Sequence, residues 1–230
     1  MLRLPDRHRA DRAGRRRTAV LVLAGCSATA FVLLALLVAG KAQPVLRFDT
    51  WVSRAAHATA LAHPHWRAAM AAVTVTGSTA VLDPLIALGC AILLAFRKWR
   101  QAVFAVVAMV VVICARLLVL AVVGRPRPVD QLAPASNYSF PSGHSTAAAA
   151  AALVAVSVCG PLLRHRRTKI VLAVVVGLWA CAVGVSRVAL VVHWPSDVVG
   201  AWLFVLAIVP AISVLLRVVL GRDERLLTGC

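Results

Sequence analysis

Long apolar runs dominate this sequence, and they constrain its fold more than any other feature. A helix that crosses a membrane needs about 20 apolar residues, and its backbone polar groups must be satisfied within the helix. Six stretches meet or approach this length, at residues 18–40, 80–96, 102–123, 145–163, 170–186 and 198–220. We therefore predict an all-α, polytopic membrane protein with six transmembrane helices.

The composition agrees with a membrane protein and excludes other classes. Hydrophobic residues make up 61% of the 230 residues, and only 14% are charged. A soluble domain needs more polar surface than this, and intrinsic disorder needs a low hydrophobic content. We expect one membrane domain over residues 18–220, with a basic cytoplasmic tail at residues 1–17 and a second cytoplasmic tail at residues 221–230.

The basic residues predict the orientation. The formal net charge is +17, and most of the 25 Lys and Arg residues fall before the first run, at residues 97–100, at residues 164–169 and near the C-terminal end. Six spans place all four groups on one side, and the side rich in Lys and Arg is the cytoplasmic one. Both termini are therefore expected in the cytoplasm, with the protein in the cytoplasmic membrane. Because the charge is explained by topology, nucleic acid is not an expected partner.

The longest outer segment, residues 41–79, lies between the first two spans. It is rich in Ala, His and Trp with scattered Arg, which predicts a helix lying at the membrane interface. Residues 77–79, Gly-Ser-Thr, are expected to end that helix before the second span.

The Cys and His residues offer no evident ligand set for a metal. The six Cys include no Cys-x-x-Cys pair, and His63 and His65 flank a proline without a nearby carboxylate. No phosphate-binding loop of the ATPase type occurs either. We expect no metal site, no cofactor and no disulfide framework.

Three polar clusters lie at the predicted outer ends of the spans. They are Gly-Arg-Pro-Arg-Pro at residues 124–128, Pro-Ser-Gly-His at residues 141–144, and the segment 186–197 with Ser186, Arg187, His193 and Asp197. Ionisable groups at membrane depth usually mark a functional site. Because helices in a bundle bring distant segments to one level, we expect these clusters to converge.

The second cluster has the features of an anion site. Pro141 suits the first position of the fourth span, and Ser142, Gly143 and His144 then offer backbone N–H groups at the positive end of the helix. Arg127 and Arg187 are able to bind two oxygens of a phosphate each.

The third cluster pairs a histidine with a carboxylate. His193 and Asp197 are four residues apart, so one helical turn brings them together. A carboxylate on one ring nitrogen fixes the tautomer and leaves the other nitrogen free to attack. His144 is then the second, acid–base histidine. The residues by themselves do not decide which of the two histidines attacks.

These residues, in order and spacing, resemble the signature motifs of the type 2 phosphatidic-acid phosphatase (PAP2) superfamily. Members are membrane phosphatases that remove phosphate from lipid phosphates and diphosphates without a metal, and some recycle a polyprenyl diphosphate carrier. The resemblance implies that His193 forms a phosphohistidine, that His144 protonates the leaving oxygen and later activates water, and that Asp197 orients His193. It also implies phosphate binding by Arg127, Ser142, Gly143 and Arg187.

One position departs from the family pattern. The first motif, Lys-x6-Arg-Pro, ends at Arg127, but Leu120 stands where the lysine is expected. Arg116 lies one turn earlier on the same helix face, and its long side chain could extend outward to replace the lysine. Arg125 is the other candidate compensator. Without compensation, lower activity or a changed substrate is expected.

The sequence therefore predicts a phosphatase acting at the outer leaflet on a polyprenyl diphosphate, phosphatidic acid or phosphatidylglycerol phosphate. One alternative is a lipid phosphotransferase, in which an acceptor other than water takes the phosphate. The other is a non-catalytic lipid-phosphate binding or transport protein, because of Leu120. A homo-oligomer is compatible with the sequence.

Overall fold

The computed structural model describes residues 7–227, which form eight α-helices and contain no β-strand. The helices are α1 (Arg7–Ala39), α2 (Gln43–Ala62), α3 (Pro64–Thr76), α4 (Thr79–Ala95), α5 (Trp99–Val123), α6 (Gly143–Cys159), α7 (Arg166–Ala189) and α8 (Pro195–Leu227). A short 3-10 turn, Gly160–Leu162, follows α6. The one long connection is the loop of residues 124–142.

Six helical stretches among the described residues are long and apolar enough to cross a membrane. They correspond to α1 from Arg17 onward, α3 together with α4, α5, α6 with its 3-10 turn, α7, and α8 as far as Val218. The prediction of an all-α protein with six spans is confirmed. Both terminal helices extend into the predicted tails, while Arg3 and Cys230 lie outside the described residues.

Residues 41–79, where the sequence predicted one interfacial helix, form two helices, and the second of them, α3, is part of the second apolar stretch. The predicted break at Gly77 is present, but a second break separates α2 from α3 at His63, whose φ is −129° and ψ is 80°. Pro64 explains it, because proline has no N–H to donate and disfavours the helical conformation in the preceding residue.

The core lies between α5, α6 and α8, and α1 closes it. Val112, Ala150 and Val205 are fully buried at its centre. The ring centroid of Phe31 in α1 lies 5.1 Å from that of Phe204 in α8 and 5.8 Å from that of Phe140, just before α6. The first and last described helices therefore pack against each other and against the start of α6.

The bundle places four helix ends at one level. Successive spans alternate in direction, so the ends of α5 and α7 lie beside the starts of α6 and α8. Two backbone hydrogen bonds link the loop of residues 124–142 to the end of α7 and the start of α8, from Leu132 N–H to the Leu190 carbonyl (3.0 Å) and from Ser142 N–H to the Asp197 carbonyl (3.1 Å). The three polar clusters meet at this level.

Candidate active site

His193 lies in the turn before α8 and is only 1% exposed. Its Nδ1 is 3.3 Å from Oδ2 of Asp197, and its Nε2 is 2.9 Å from Nη1 of Arg127. A guanidinium only donates hydrogen bonds, so Nε2 accepts and the ring proton lies on Nδ1, facing Asp197. This is the tautomer whose Nε2 lone pair is able to attack an electrophile.

A tight turn at the end of α7 places His193 at this position. The N–H groups of Val192 and His193 both donate to the Arg187 carbonyl, at 3.1 and 3.3 Å. Val191 has a φ of 56°, a left-handed conformation that is costly for a β-branched residue. Such strained residues concentrate at functional sites, where the surrounding structure holds them in place. Pro195 then starts α8.

Arg127 is held by backbone carbonyls. Its Nη1 donates to Val192 O (2.8 Å), its Nε to Asn137 O (2.9 Å) and its Nη2 to Ser136 O (3.0 Å). Neutral carbonyls fix the guanidinium without cancelling its charge. The cation is therefore already oriented beside Nε2 of His193, as stabilisation of a phosphoryl group requires.

The start of α6 lies on the other side of His193. Ser142 precedes the helix, accepts a hydrogen bond at Oγ from Ser145 Oγ (2.9 Å), and donates its own N–H to the Asp197 carbonyl. Its amide, which the sequence placed among the free donors, is therefore paired. The first-turn amides of Gly143, His144 and Ser145 lack a partner within the helix. Together they form the positive end of the helix dipole.

Arg116 reaches this helix start from α5. Its Nε donates to Pro141 O at 3.1 Å, and its Nη2 lies 2.9 Å from the position that a Cβ on Gly143 would occupy. Leu120, one turn later, is buried. The structure thus places the Arg116 guanidinium beside the helix start for which the sequence predicts an anion site.

Arg187 contributes a further buried cation. It is 4% exposed, its Nη1 donates to Thr74 Oγ1 at 2.7 Å, and its buried Nε has no partner in the part of the chain that the structure describes. The ring of His144 lies within electrostatic range of Arg187 and of His193. The sequence gave no indication of Thr74, because its position depends on how α3 packs against α7.

Arg125, the second candidate compensator, lies elsewhere in the cluster. Its Nη1 donates to Oδ1 of Asp197 and its Nη2 to Oδ2 of Asp49, both at 2.6 Å. The guanidinium therefore binds the carboxylate oxygen that His193 leaves free. Asp49 was not predicted as a site residue; the available signal was a lone carboxylate in the basic, Ala-rich segment of residues 41–79.

Burial sets the protonation state of His193. It lowers the pKa of this histidine to about 4, against the opposing effect of the hydrogen bond and charge of Asp197; the charges of Arg127 and Arg187 lower it further. The ring is therefore neutral at pH 7, as a nucleophile must be.

An apolar groove of about 420 Å³ lies between α2, α7 and α8, with Trp66 of α3 also in its wall. Phe48, Trp66, Val188, Val198 and Trp202 belong to its walls, and so does Pro195 at the start of α8. The groove has the chemistry to hold a hydrocarbon chain, and its Pro195 is two residues from His193.

The converging polar groups are mainly cationic. Within residues 7–227, no three His, Cys, Asp or Glu side chains group in a way that could hold a metal ion. The five described Cys residues are free thiols. The site instead combines two histidines with arginines and helix amides, a set suited to binding a phosphate.

Comparison with known proteins agrees with this geometry. The model of the PAP2 superfamily matches residues 101–219, just over half of the chain. Phosphatidylglycerophosphatase B of Escherichia coli (strain K12) is 37% identical over 86 residues, which are 37% of this chain and 32% of that protein. The protein of that name from Shigella flexneri matches equally well. The matched region thus spans about a third of these curated relatives.

A solved structure matches most of the chain. The crystal structure of a transmembrane PAP2 type phosphatidylglycerolphosphate phosphatase from Bacillus subtilis superposes with a TM-score of 0.70 and 27% identity. The match covers 88% of this chain and 96% of that one. Family model, sequence relatives and fold agree, and the chain is a multi-pass membrane protein that belongs to the PAP2 superfamily.

Proposed function

We propose that this protein is a membrane phosphatase that hydrolyses a lipid phosphate or diphosphate through a phosphohistidine on His193. One observation carries the proposal: the neutral, buried ring of His193 is held at Nδ1 by Asp197 while its Nε2 faces Arg127 at 2.9 Å. An oriented nucleophile beside a fixed cation is the arrangement that phosphoryl transfer needs.

In the first step, the Nε2 lone pair of His193 forms a bond to phosphorus as the bond from phosphorus to the lipid oxygen breaks. His144 donates a proton to that oxygen, so that a lipid alcohol leaves from a monoester, or a lipid monophosphate from a diphosphate. The phosphohistidine ring carries a positive charge, which the carboxylate of Asp197 stabilises through the Nδ1 proton.

In the second step, water attacks the phosphorus and the bond between phosphorus and Nε2 breaks. His144, now neutral, takes the proton from the water. Inorganic phosphate leaves, and His193 returns to its neutral form with the proton still on Nδ1. No metal takes part in either step.

The negative oxygens of the transferring phosphoryl group would be bound by three arginines and one helix end. Arg127 approaches from the loop of residues 124–142, Arg187 from the last turn of α7, and Arg116 approaches the start of α6 at Gly143. Ser142 supports the site by fixing the first turn of α6.

Phosphatidylglycerol phosphate is the first substrate to test, because relatives in both comparisons carry names of phosphatases for that lipid. The apolar groove between α2, α7 and α8 would take an acyl or prenyl chain. The positive-inside distribution of Lys and Arg supports a site at the outer leaflet of the cytoplasmic membrane.

The alternative of a non-catalytic binding protein rested on Leu120. The guanidinium of Arg116 beside Gly143 supplies a cation at the anion site, which supports the enzyme. A phosphotransferase would share the first step and differ only in the acceptor of the second.

The direct test is phosphate release by the purified protein in detergent, with chelator present. Phosphatidylglycerol phosphate, undecaprenyl diphosphate and phosphatidic acid are compared side by side. We expect release that is lost in His193→Ala and kept in His165→Ala, a matched change at an exposed histidine between α6 and α7. Unchanged release in His193→Ala, or release that requires a divalent metal, would contradict the proposal.

A further inference from the structure

We propose that Asp49 of the outer helix α2 is a positioning residue for the reaction: through Arg125 it sets the orientation and effective charge of Asp197, and thereby the reactivity of His193. This inference rests on the proposed function. It concerns a residue outside the part of the chain that matches the family model, which begins at residue 101.

The contacts of Asp49 all lead to the start of α8. Its Oδ2 accepts hydrogen bonds from Arg125 Nη2 at 2.6 Å and from Ser196 Oγ at 2.5 Å, and its Oδ1 accepts one from the Ser196 N–H at 3.0 Å. Arg125 Nη1 then binds Ser196 Oγ and Oδ1 of Asp197, both at 2.6 Å. An unbroken chain of ionic hydrogen bonds joins α2 to the partner of His193.

Burial makes the charges in this chain interdependent. Asp49 is 1% exposed, Asp197 is not exposed at all, and Arg125 is 7% exposed. A buried charge is costly unless it is paired, and removing one partner leaves the other uncompensated. Two carboxylates therefore share one guanidinium, and the group has a net charge of −1. Trp194 covers the guanidinium from one face, with its ring centroid 5.4 Å away.

Because Arg125 is shared between two carboxylates, it neutralises only part of the negative charge that Asp197 presents to His193. With Asp49 present, Arg125 is drawn in two directions, and Asp197 keeps enough negative charge to support a cationic ring. Asparagine at position 49 has one acceptor oxygen in place of two and no charge. Arg125 would then neutralise Asp197 more completely, and the phosphohistidine would lose support.

Loss of the arginine should act in the opposite direction. In Arg125→Gln, Asp197 would face His193 without its countercharge, which favours the protonated ring. In the double variant, Asp49→Asn with Arg125→Gln, the net charge returns to −1. The two single changes therefore predict opposite shifts of the pKa of His193, and the double change predicts a return toward the original value.

The other charged and titratable groups that face His193 stay constant across these variants. They are Arg127 from the loop of residues 124–142, Arg187 from α7 and His144 from α6. A change in the titration of His193 therefore reports on Asp49, Arg125 and Asp197.

The experiment measures the pKa of His193 by NMR of 15N-histidine-labelled protein in detergent, assigned with His193→Ala. Steady-state phosphate release by the same samples gives kcat and KM. The matched control is Asp130→Asn, which removes an exposed carboxylate from the loop that also carries Arg125. Size-exclusion chromatography shows which variants remain folded.

We expect Asp49→Asn to lower the pKa of His193 and to lower kcat about tenfold with little change in KM. Arg125→Gln should raise that pKa, the double variant should lie between the two, and Asp130→Asn should match the parent. Each folded single variant is a separate test, because the two are expected to shift the pKa of His193 in opposite directions.

Equal pKa values of His193 in the parent and a folded single variant would overturn the inference. The inference would also be overturned if both single variants failed to fold while the double variant folded and kept the parental kcat. Asp49 and Arg125 would then serve folding alone. If the parent releases no phosphate, the proposed function fails, while the NMR titration still tests the link from Asp49 to His193.

Discussion

The guanidinium of Arg116 lies against the backbone of Gly143, with Nη2 only 2.9 Å from the position where a Cβ would lie. Gly143 therefore leaves the space that lets a cation from α5 reach the start of α6. Leu120, at the position of the motif lysine, is buried on the same helix one turn later. A cation thus lies on the same helix face as the motif position, one turn earlier.

Replacing Arg116 should damage catalysis more than folding. In Arg116→Leu, the transferring phosphoryl group loses one fixed cation, and we expect phosphate release to fall by about a hundredfold. The measurement is the initial rate in detergent, compared with Arg54→Leu at an exposed position of α2.

A second change, Leu120→Lys, can be added to Arg116→Leu. It places a cation at the position of the motif lysine. Partial recovery of the rate is expected, because the lysine starts one turn closer to the helix end. A rate for Arg116→Leu equal to the parental one would show that this guanidinium plays no part in the reaction.

His193 should remain neutral well below the pH at which an ordinary histidine is protonated. Burial lowers the pKa of His193 to about 4, whereas at pH 5.5 an unperturbed histidine is about 90% protonated. We therefore expect the acid limb of kcat/KM from this group near pH 4, with activity retained at pH 5.5. NMR titration of the labelled ring checks this, and a midpoint near 6.5 would refute it.

The same depressed pKa has a consequence for stability, with a defined sign. Between pH 6.5 and about 4 the unfolded chain binds a proton at this position and the folded chain does not. The contribution of the neutral ring to stability is therefore full above pH 6.5 and is lost progressively as the pH falls through this range. His193→Ala should show a smaller decrease in unfolding temperature between pH 7 and pH 5 than the parent does.

Gly200 in α8 should tolerate no side chain. A Cβ there would lie 2.6 and 2.7 Å from two ring carbons of Phe140, a fully buried residue that precedes α6. Gly200→Ala should cost about 1–3 kcal/mol and reduce activity by displacing the start of α6. Gly177→Ala is the matched control, because nothing lies within 4 Å of its added Cβ. Thermal unfolding in detergent compares the two, and equal unfolding temperatures would contradict this packing.

The orientation inferred from the basic residues can be tested with inserted epitope tags. A tag in the exposed loop at Val129 should be accessible to antibody on intact spheroplasts, and a tag at Arg166 only after permeabilisation. The reverse pattern would place the polar cluster on the cytoplasmic side.

The spans and the polar clusters could be read from the sequence because both depend on local pattern. Apolar length predicts a helix that crosses a membrane, and the spacing of His193 and Asp197 fixes their contact once α8 begins at Pro195. Arg116 could likewise be predicted as a candidate replacement for the motif lysine, because it lies one helical turn from Leu120. These features required no knowledge of how the helices are arranged around the bundle.

Other contacts could not be predicted, because they depend on how the helices are arranged around the bundle. Asp49 meets Arg125 only because α2 packs against the start of α8, and Thr74 meets Arg187 only because α3 packs against α7. The break at His63, by contrast, has a local cause in Pro64. Arg125 itself could not be assigned, since its two carboxylate partners come from different parts of the chain.

The groove between α2, α7 and α8 includes Ala189 and Pro195, at the level where the helices end, and it would give the two products of the proposed reaction separate exits. Free phosphate is strongly hydrated and would depart past the loops into water. The dephosphorylated lipid, with its chains still among those of the bilayer, would diffuse away sideways. Neither product has to pass the other, so phosphate in the medium and product lipid in the membrane should slow turnover independently.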